Sequence, residues 1–354
     1  MKNIFIFIIL SLLISCTNKK ENNRFKKFSK TIEIKGKSIG TSQKFKSMSM
    51  GGIVDSILIL NVSMNDHVFY LFDKKNFKLL TKAGKTGRGP YELPGGTGSY
   101  GISPNKAKRL IYVSNRAKGK IFCFSIDSVL NNKNYQPEVY LDIPEKLATI
   151  HGIEMVNDSL FLAGDLIGHN LALMNKQGRV RNYIGKLPDK PQNIKAVHYR
   201  NLYRSYFTYS PQNKKVAVVF GGQDKLITYN LKGEKLIKRI GPDFVETTYN
   251  NQYEASTKTT YWDVECDSQY IYGLYSGERS YKMPSDATKL TEIQLFHPKT
   301  IHVFDWQGNP KLKVKLEKQA TDFVIDKATN RLITVSLSEK PFTVYDLSLI
   351  QNQL

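Results

Sequence analysis

Residues 206–241, YFTYSPQNKKVAVVFGGQDKLITYNLKGEKLIKRIG, hold four strand-length runs with only turn residues between them. Tyr206–Tyr209 stops at Ser210-Pro211-Gln212-Asn213, where proline and amide favour a tight turn. Lys215–Phe220 is apolar and β-branched throughout, as expected of a strand buried on both faces. After Gly221-Gly222-Gln223-Asp224 comes Leu226–Asn230, then a turn at Leu231-Lys232-Gly233-Glu234, with glycine where φ is expected to be positive, then the alternating, edge-like Lys235–Ile240. The whole reads as one antiparallel meander. A lone four-stranded sheet cannot bury both faces, so it needs neighbours of its own kind.

The rest of the chain supplies them. The position of Asn230, an acidic or amide residue closing a strand before a lysine- or glycine-containing turn, recurs at Asp73, Asp127, Asn175, Asp305 and Asp346. The spacing scatters around the ~40–50 residues of a four-stranded propeller blade. A second-strand run precedes each: Ile53–Leu60, Arg109–Val113, Ser159–Ala163, Lys215–Phe220, Tyr270–Tyr275 and Arg331–Val335. First strands are expected near Phe45–Met50, Ser99–Ile102, Ile150–Val156, Tyr206–Tyr209, Trp262–Val264 and Thr321–Ile325. Six such units, with no amphipathic helix long enough to cover a sheet, predict an all-β, six-bladed β-propeller. The sixth unit stops after its third strand, so an N-terminal strand, read as Thr31–Gly36 (TIEIKG), is expected to close the last blade and remove the open edge. A seventh unit would have to lie between Asn230 and Asp305, where Phe244–Thr260 and Ser276–Thr291 read as polar loops.

At the other end, MKNIFIFIILSLLISC is one lysine, a short apolar run and a cysteine. The run is short for a membrane span and has the length of a secretory signal core. Its ending resembles the lipobox of bacterial lipoproteins, which implies a signal peptide over 1–15 and lipid on Cys16. Residues 16–30 are polar and basic without apolar periodicity and read as a flexible tether, leaving 31–354 for the propeller. Surface-exported lipoproteins of Bacteroidetes carry an acidic run after the cysteine. Lys19 and Lys20 depart from that, so the expected address is the outer membrane, facing the periplasm.

The formal net charge is +21. Such a charge invites a nucleic-acid reading, but the secretion signal and the spread of lysines over every segment argue against it. A solvated basic rim suits an anionic membrane surface or a polyanionic glycan. Cys123 and Cys266 permit one disulfide in an oxidising compartment, though buried cysteine in a strand is commonly a small apolar filler.

Residues 82–95, KAGKTGRGPYELPG, resemble the G-x-G-x-G-P-x-E-[FL] stretch of six-bladed propeller lipoproteins of Bacteroidetes, a TolB-like, NHL-like set. Gly84, Gly87, Gly89, Pro90, Glu92 and Leu93 carry the match. Ser103-Pro104-Asn105-Lys106 and Ser210-Pro211-Gln212-Asn213-Lys214 are similar to the S-P-D-G-K turn of TolB-type propellers but lack its Asp-Gly pair. The resemblance implies a fold and an envelope location and little chemistry. No helix follows the glycines and no Lys-Ser/Thr pair closes the loop, so the stretch is not read as a phosphate cradle. Its glycines let the chain cross between blades, with Arg88 and Tyr91 exposed or at a channel mouth.

Two functions remain. A binding or scaffolding module would present Arg88, Tyr91, Tyr100, His151, Tyr206, Tyr261 and Trp262 to a peptide, glycan or envelope protein, with the loops Tyr199–Arg204 and Tyr249–Tyr253 beside them. It would act as a monomer without a cofactor, bound to the membrane through Cys16. The alternative is a Ca²⁺-dependent hydrolase of the lactonase or arylesterase type, with the metal on oxygen donors in the axial channel. For that chemistry His151, Glu154, Asp263 and Asp322 are the candidate catalytic or metal-binding residues, expected at first-strand ends. His67, His169, His198, His297 and His302 read as surface or turn residues, and no serine-nucleophile motif is present.

Overall fold

The computed structural model describes residues 23–94, 100–132, 135–147, 150, 152–164, 168–195, 199, 202–245, 258–279, 281–282, 294–295 and 297–354. Six antiparallel meanders follow one another along the chain; the first five pair four strands each in sequence order, and the sixth pairs three and takes its fourth from the N-terminal segment. Blade 4 is the quoted stretch: Ser205–Ser210, Lys215–Phe220, Lys225–Asn230 and Lys235–Ile240. Its second strand is buried from Val216 to Phe220, while its fourth is half-exposed. That gradient is the signature of radial packing, in which middle strands lie between two neighbouring blades and outer strands meet solvent.

Six apolar clusters fill the six seams. One joins blades 1 and 2 through residues such as Phe69 and Phe124, others join 2 to 3, 3 to 4, 4 to 5 and 5 to 6, and a sixth packs Phe72 and Phe77 of blade 1 on Phe342 of blade 6. The ring is therefore closed. First strands line the axis: Ser47–Val54, Tyr100–Asn105, Ile153–Asn157, Ser205–Ser210, Lys258–Cys266 and Asp322–Asp326.

The recurring acid or amide works as a turn cap. Asp73 Oδ1 accepts the N–H groups of Lys75 and Asn76, Asn175 Oδ1 those of Gln177 and Arg179, Asn230 Oδ1 those of Lys232 and Glu234, and Asp305 Oδ1 those of Gln307 and Asn309, all at 2.8–3.1 Å. A short side chain that replaces the ladder with its own turn is why this residue type marks the third strand. Gly233 sits in that turn at φ +84°.

Four expectations need correction. The run Ile53–Leu60 is two strands, broken at Asp55, whose φ is +49°, so the second strand begins at Ile57. Asp127 closes no strand. It lies in a short helix, Ile126–Asn131, capped by Ser125, and the outer strand of blade 2 follows at Glu138–Asp142. In blade 5 the second strand extends to Arg279, past Ser276, and the insertion after it carries a two-stranded pair, Tyr281–Lys282 with Gln294–Leu295.

The fourth correction concerns closure. An N-terminal strand does complete blade 6, but it is Lys37–Ile39, antiparallel to Phe342–Asp346. A Cβ at Gly36 would sit 2.6 Å from Thr343 Cγ2, so glycine is needed for the chain to enter this edge. The TIEIKG segment pairs elsewhere: Lys30–Ile34 runs parallel to Pro310–Leu316 as a fifth strand on blade 5. Residues 23–29, read as tether, are docked against the propeller. Ile240 N–H donates to Asn23 O, Phe25 N–H to Ile240 O, and the rings of Phe25 and Phe28 pack edge-on against Phe304. One continuous strap thus crosses blades 4, 5 and 6.

Candidate functional site

First strands from all six blades surround an open axial cavity of about 970 Å³. Its wall carries Glu154 from blade 3, Tyr206 from blade 4, Trp262, Asp263 and Glu265 from blade 5, and Asp322 from blade 6, with Lys106 and Arg204 nearby. Of the candidate residues, Glu154, Asp263, Asp322, Tyr206 and Trp262 are therefore brought together. Glu265 was not foreseen. It stands two residues after Asp263, on the same side of a strand that runs on to Cys266 rather than ending at Val264.

These polar groups stitch neighbouring blades together around the axis. Ser103 Oγ of blade 2 accepts Met155 N–H of blade 3 at 2.9 Å. Glu154 Oε1 accepts Tyr209 N–H of blade 4 at 2.9 Å. Thr208 Oγ1 meets Cys266 Sγ of blade 5 at 3.4 Å, and Asp263 shares a carboxyl hydrogen bond with Asp322 of blade 6. Asp322 Oδ2 in turn accepts Met50 N–H of blade 1 at 3.0 Å.

Channel solvent reaches part of these carboxyls, but each lies deep among protein atoms that exclude bulk water. Burial pushes Glu154 up to about 8, assisted by the charge of Asp263 and opposed by the Tyr209 amide and Lys106. Glu265 is raised well above its ordinary value by burial, then by Asp263 and Glu154. Burial raises both Asp263 and Asp322, and a pair that shares a hydrogen bond holds a proton between its carboxyls. With these carboxyls raised and Lys106 and Arg204 beside them, the wall can both donate and accept hydrogen bonds.

Trp262 packs edge-on against His297, 5.2 Å between ring centres, and neither Trp262 Nε1 nor His297 Nδ1 has a hydrogen-bond partner among the described residues. His297 thus lies at the cavity wall. The Arg204 guanidinium rests over the Tyr206 ring, 5.2 Å from its centre.

The other candidates lie elsewhere. Tyr261 is buried in the seam between blades 4 and 5, its hydroxyl 3.3 Å from both Asp224 Oδ1 and His302 Nδ1, so it faces no partner surface. His302 is buried too, stacked on Tyr275 and covered by Phe28, because the strap closes this seam from outside. Tyr199 and Tyr203 pack on each other inside the cluster between blades 3 and 4. Arg88 and Tyr91 are exposed on the connection from blade 1 to blade 2, away from the axial cavity. There Glu92 accepts Gly89 N–H and pairs with Lys85, Leu93 is fully buried, and a Cβ at Gly87 would collide with the Glu92 carboxyl. The glycines serve close passage of the chain. Cys123 and Cys266 are both free. Cys16, His151, His198 and the loop Tyr249–Tyr253 lie outside the described residues, as does the side chain of Tyr100.

A Ca²⁺ site needs several ionised oxygen donors converging within about 2.6 Å of one point. Among the described residues no three His, Cys, Asp or Glu side chains converge in this way.

The sequence model of the family described as TolB-like 6-blade propeller-like matches residues 27–328. A crystal structure of a DUF4221 family member from Bacteroides vulgatus is similar, with TM-score 0.58, 13% identity, and 87% of this chain covered against 94% of that one. A putative exported protein from Bacteroides fragilis has TM-score 0.58, 11% identity, and coverage of 91% and 98%. At such identities the likeness is one of fold. No curated protein sequence matches.

Proposed function

We propose that this chain, which belongs to the TolB-like 6-blade propeller family, is a non-catalytic binding module held at the cell envelope by lipid on Cys16, and that its axial channel takes a neutral, hydroxyl-bearing ligand of the saccharide class. The observation that carries the reading is the chemistry of the channel wall. Carboxyls raised by burial at Glu154 and Glu265, and an Asp263–Asp322 pair that shares a proton, can exchange hydrogen bonds with hydroxyls in either direction. Trp262 and Tyr206 add apolar ring surface beside them. A cavity of about 970 Å³ has room for a small oligosaccharide.

The envelope address draws on the lipobox-like ending at Cys16 and on the similar fold of a putative exported protein. Metabolic labelling with a palmitate analogue tests it: incorporation lost in Cys16→Ala supports the anchor, and absence of labelling in the wild type refutes it. For the channel, titration calorimetry with maltotriose, chitotriose and calcium chloride separates the two functions. Saturable oligosaccharide binding abolished by Trp262→Ala supports the module. Calcium binding that stabilises the fold and is reversed by chelator supports the hydrolase instead.

A further inference from the structure

The strap emerges on a rim of the ring whose outer strands are basic. Residues 23–34 lie along the rims of blades 4 and 5, joined to Ile240 by backbone hydrogen bonds and to the outer strand Pro310–Leu316 by a parallel ladder. Arg24, Lys26, Lys27 and Lys30 are exposed on it. The outer strands beneath are KLIKRI and KLKVKL, with no acidic residue in either; Lys235 is exposed, and Lys315 pairs with Glu33 of the strap. In a closed ring of six, blade 2 stands opposite blade 5. Its outer strand is EVYLD, with Glu138 and Asp142 exposed. At the level of the outer strands, the rim under the strap is thus basic where the opposite rim is acidic.

We infer that the rim of blades 4 and 5 is a membrane-facing surface that binds anionic lipid headgroups, so that the propeller stands edge-on with its channel axis parallel to the bilayer. The inference rests on the lipid-anchor reading for its geometry. Cys16 precedes Asn23 by seven residues, which span at most about 25 Å when fully extended. Because the chain is fixed to blade 4 from Asn23 onward, an acyl chain at Cys16 holds this rim within that reach of the headgroups and holds no other rim there. Lysine side chains at such a distance add their attraction to that of the acyl chain, and one chain alone anchors only weakly. The acidic outer strand of blade 2 is turned away from the negative surface. An edge-on stance also leaves both mouths of the channel open to diffusing ligands.

The test uses the mature chain from Cys16 carrying Cys16→Ser, so that no acyl chain contributes. Sedimentation with phosphatidylglycerol–phosphatidylcholine vesicles is compared with pure phosphatidylcholine. Binding is expected only to the anionic vesicles and is lost near 0.5 M salt, where screening is short-ranged, on the order of 4 Å. Reversal of the patch in Lys26→Glu, Lys27→Glu, Lys235→Glu weakens binding at least ~10-fold. The control Lys176→Glu, Arg181→Glu, Lys186→Glu on blade 3, with the same change in net charge, alters it less than ~2-fold. Circular dichroism confirms that both variants are folded. Equal weakening by the two sets, or binding that ignores lipid charge, overturns the proposal. So does tighter, patch-dependent binding to heparin than to vesicles, which would make the rim a polyanion site. If Cys16 takes no lipid while the patch still governs vesicle binding, the anchor fails and the surface stands. The reverse outcome separates them the other way.

Discussion

Asp322 Oδ2 accepts the backbone N–H of Met50 at 3.0 Å, and by that bond the innermost strand of the last blade holds the innermost strand of the first. The contact is the axial counterpart of the outer closure, where Lys37–Ile39 pairs with Phe342–Asp346. Ring closure is thus made twice, at the hub and at the rim. The same carboxyl that lines the channel is a structural joint.

Replacing Asp322 with alanine leaves the Met50 amide without its acceptor and Asp263 without the group that shares its proton. We expect a loss of about 1–3 kcal/mol in urea unfolding. Asp322→Asn, which keeps an acceptor oxygen for Met50, is expected to lose less. Equal losses in the two variants would show that the amide contact contributes nothing.

Raised carboxyl values tie stability to pH. The folded state keeps Glu154 protonated up to about 8 and Asp224 up to about 6, whereas the unfolded chain ionises both near pH 4. The native state therefore binds more protons across this window, and their contribution to stability is complete below it and lost as pH rises through it. The melting temperature of Glu154→Gln should match wild type near pH 4 and increasingly exceed it up to pH 8.5, since glutamine can keep the bond to Tyr209 N–H without a charge. A difference that is constant with pH contradicts the assignment.

Lys74 of blade 1 is buried against Asp326 of blade 6, with Nζ 3.1 Å from the carboxyl. Burial alone would raise Asp326, but hydrogen bonds from Thr329 and Lys74, and Arg331 beside them, hold it below its ordinary value. Lys74→Met strands part of that buried charge and is expected to cost about 3 kcal/mol. Lys74→Met combined with Asp326→Leu should recover most of the loss, as measured by denaturant midpoints.

Docking of residues 23–29 predicts slow hydrogen exchange at the amides of Phe25 and Ile240, which bond across the strap. Phe28→Ala removes the ring that covers His302 and Phe304 and should speed exchange at both amides while leaving Val218, in the middle of blade 4, protected. Fast exchange at Phe25 in the wild type would restore the picture of a free tether.

The fold was legible because each blade repeats local chemistry. Runs such as Lys215–Phe220 and turn caps such as Asn230 are written within a few neighbouring residues. Asp127 misled because its residue type matches while a Ser125-capped helix takes its place. Closure was legible as a need for one more strand, but not in its register. Thr31–Gly36 and Lys37–Ile39 are both short and extended, and only the tight contact of Gly36 with Thr343 and Tyr345 selects between them. In the channel, Glu154, Asp263 and Asp322 were found because first-strand residues must face the axis. Glu265 was missed because the strand was ended too early, and Tyr261 was misplaced because a tyrosine beside the axis and one buried in a seam look alike in sequence. The coupling of Asp263 to Asp322 depends on two strands about sixty residues apart meeting side by side, which no local pattern records.

The central claim is that burial raises the axial carboxyls, so that the channel wall donates as well as accepts hydrogen bonds. Carbon-13 NMR of side-chain-labelled glutamate, with the Glu154 resonance assigned by its loss in Glu154→Gln, tests this without any ligand. The account predicts a titration midpoint near 8 for that carboxyl. A midpoint at or below about 5, within the ordinary range for glutamate, would mean that Glu154 is ionised at neutral pH and would contradict it.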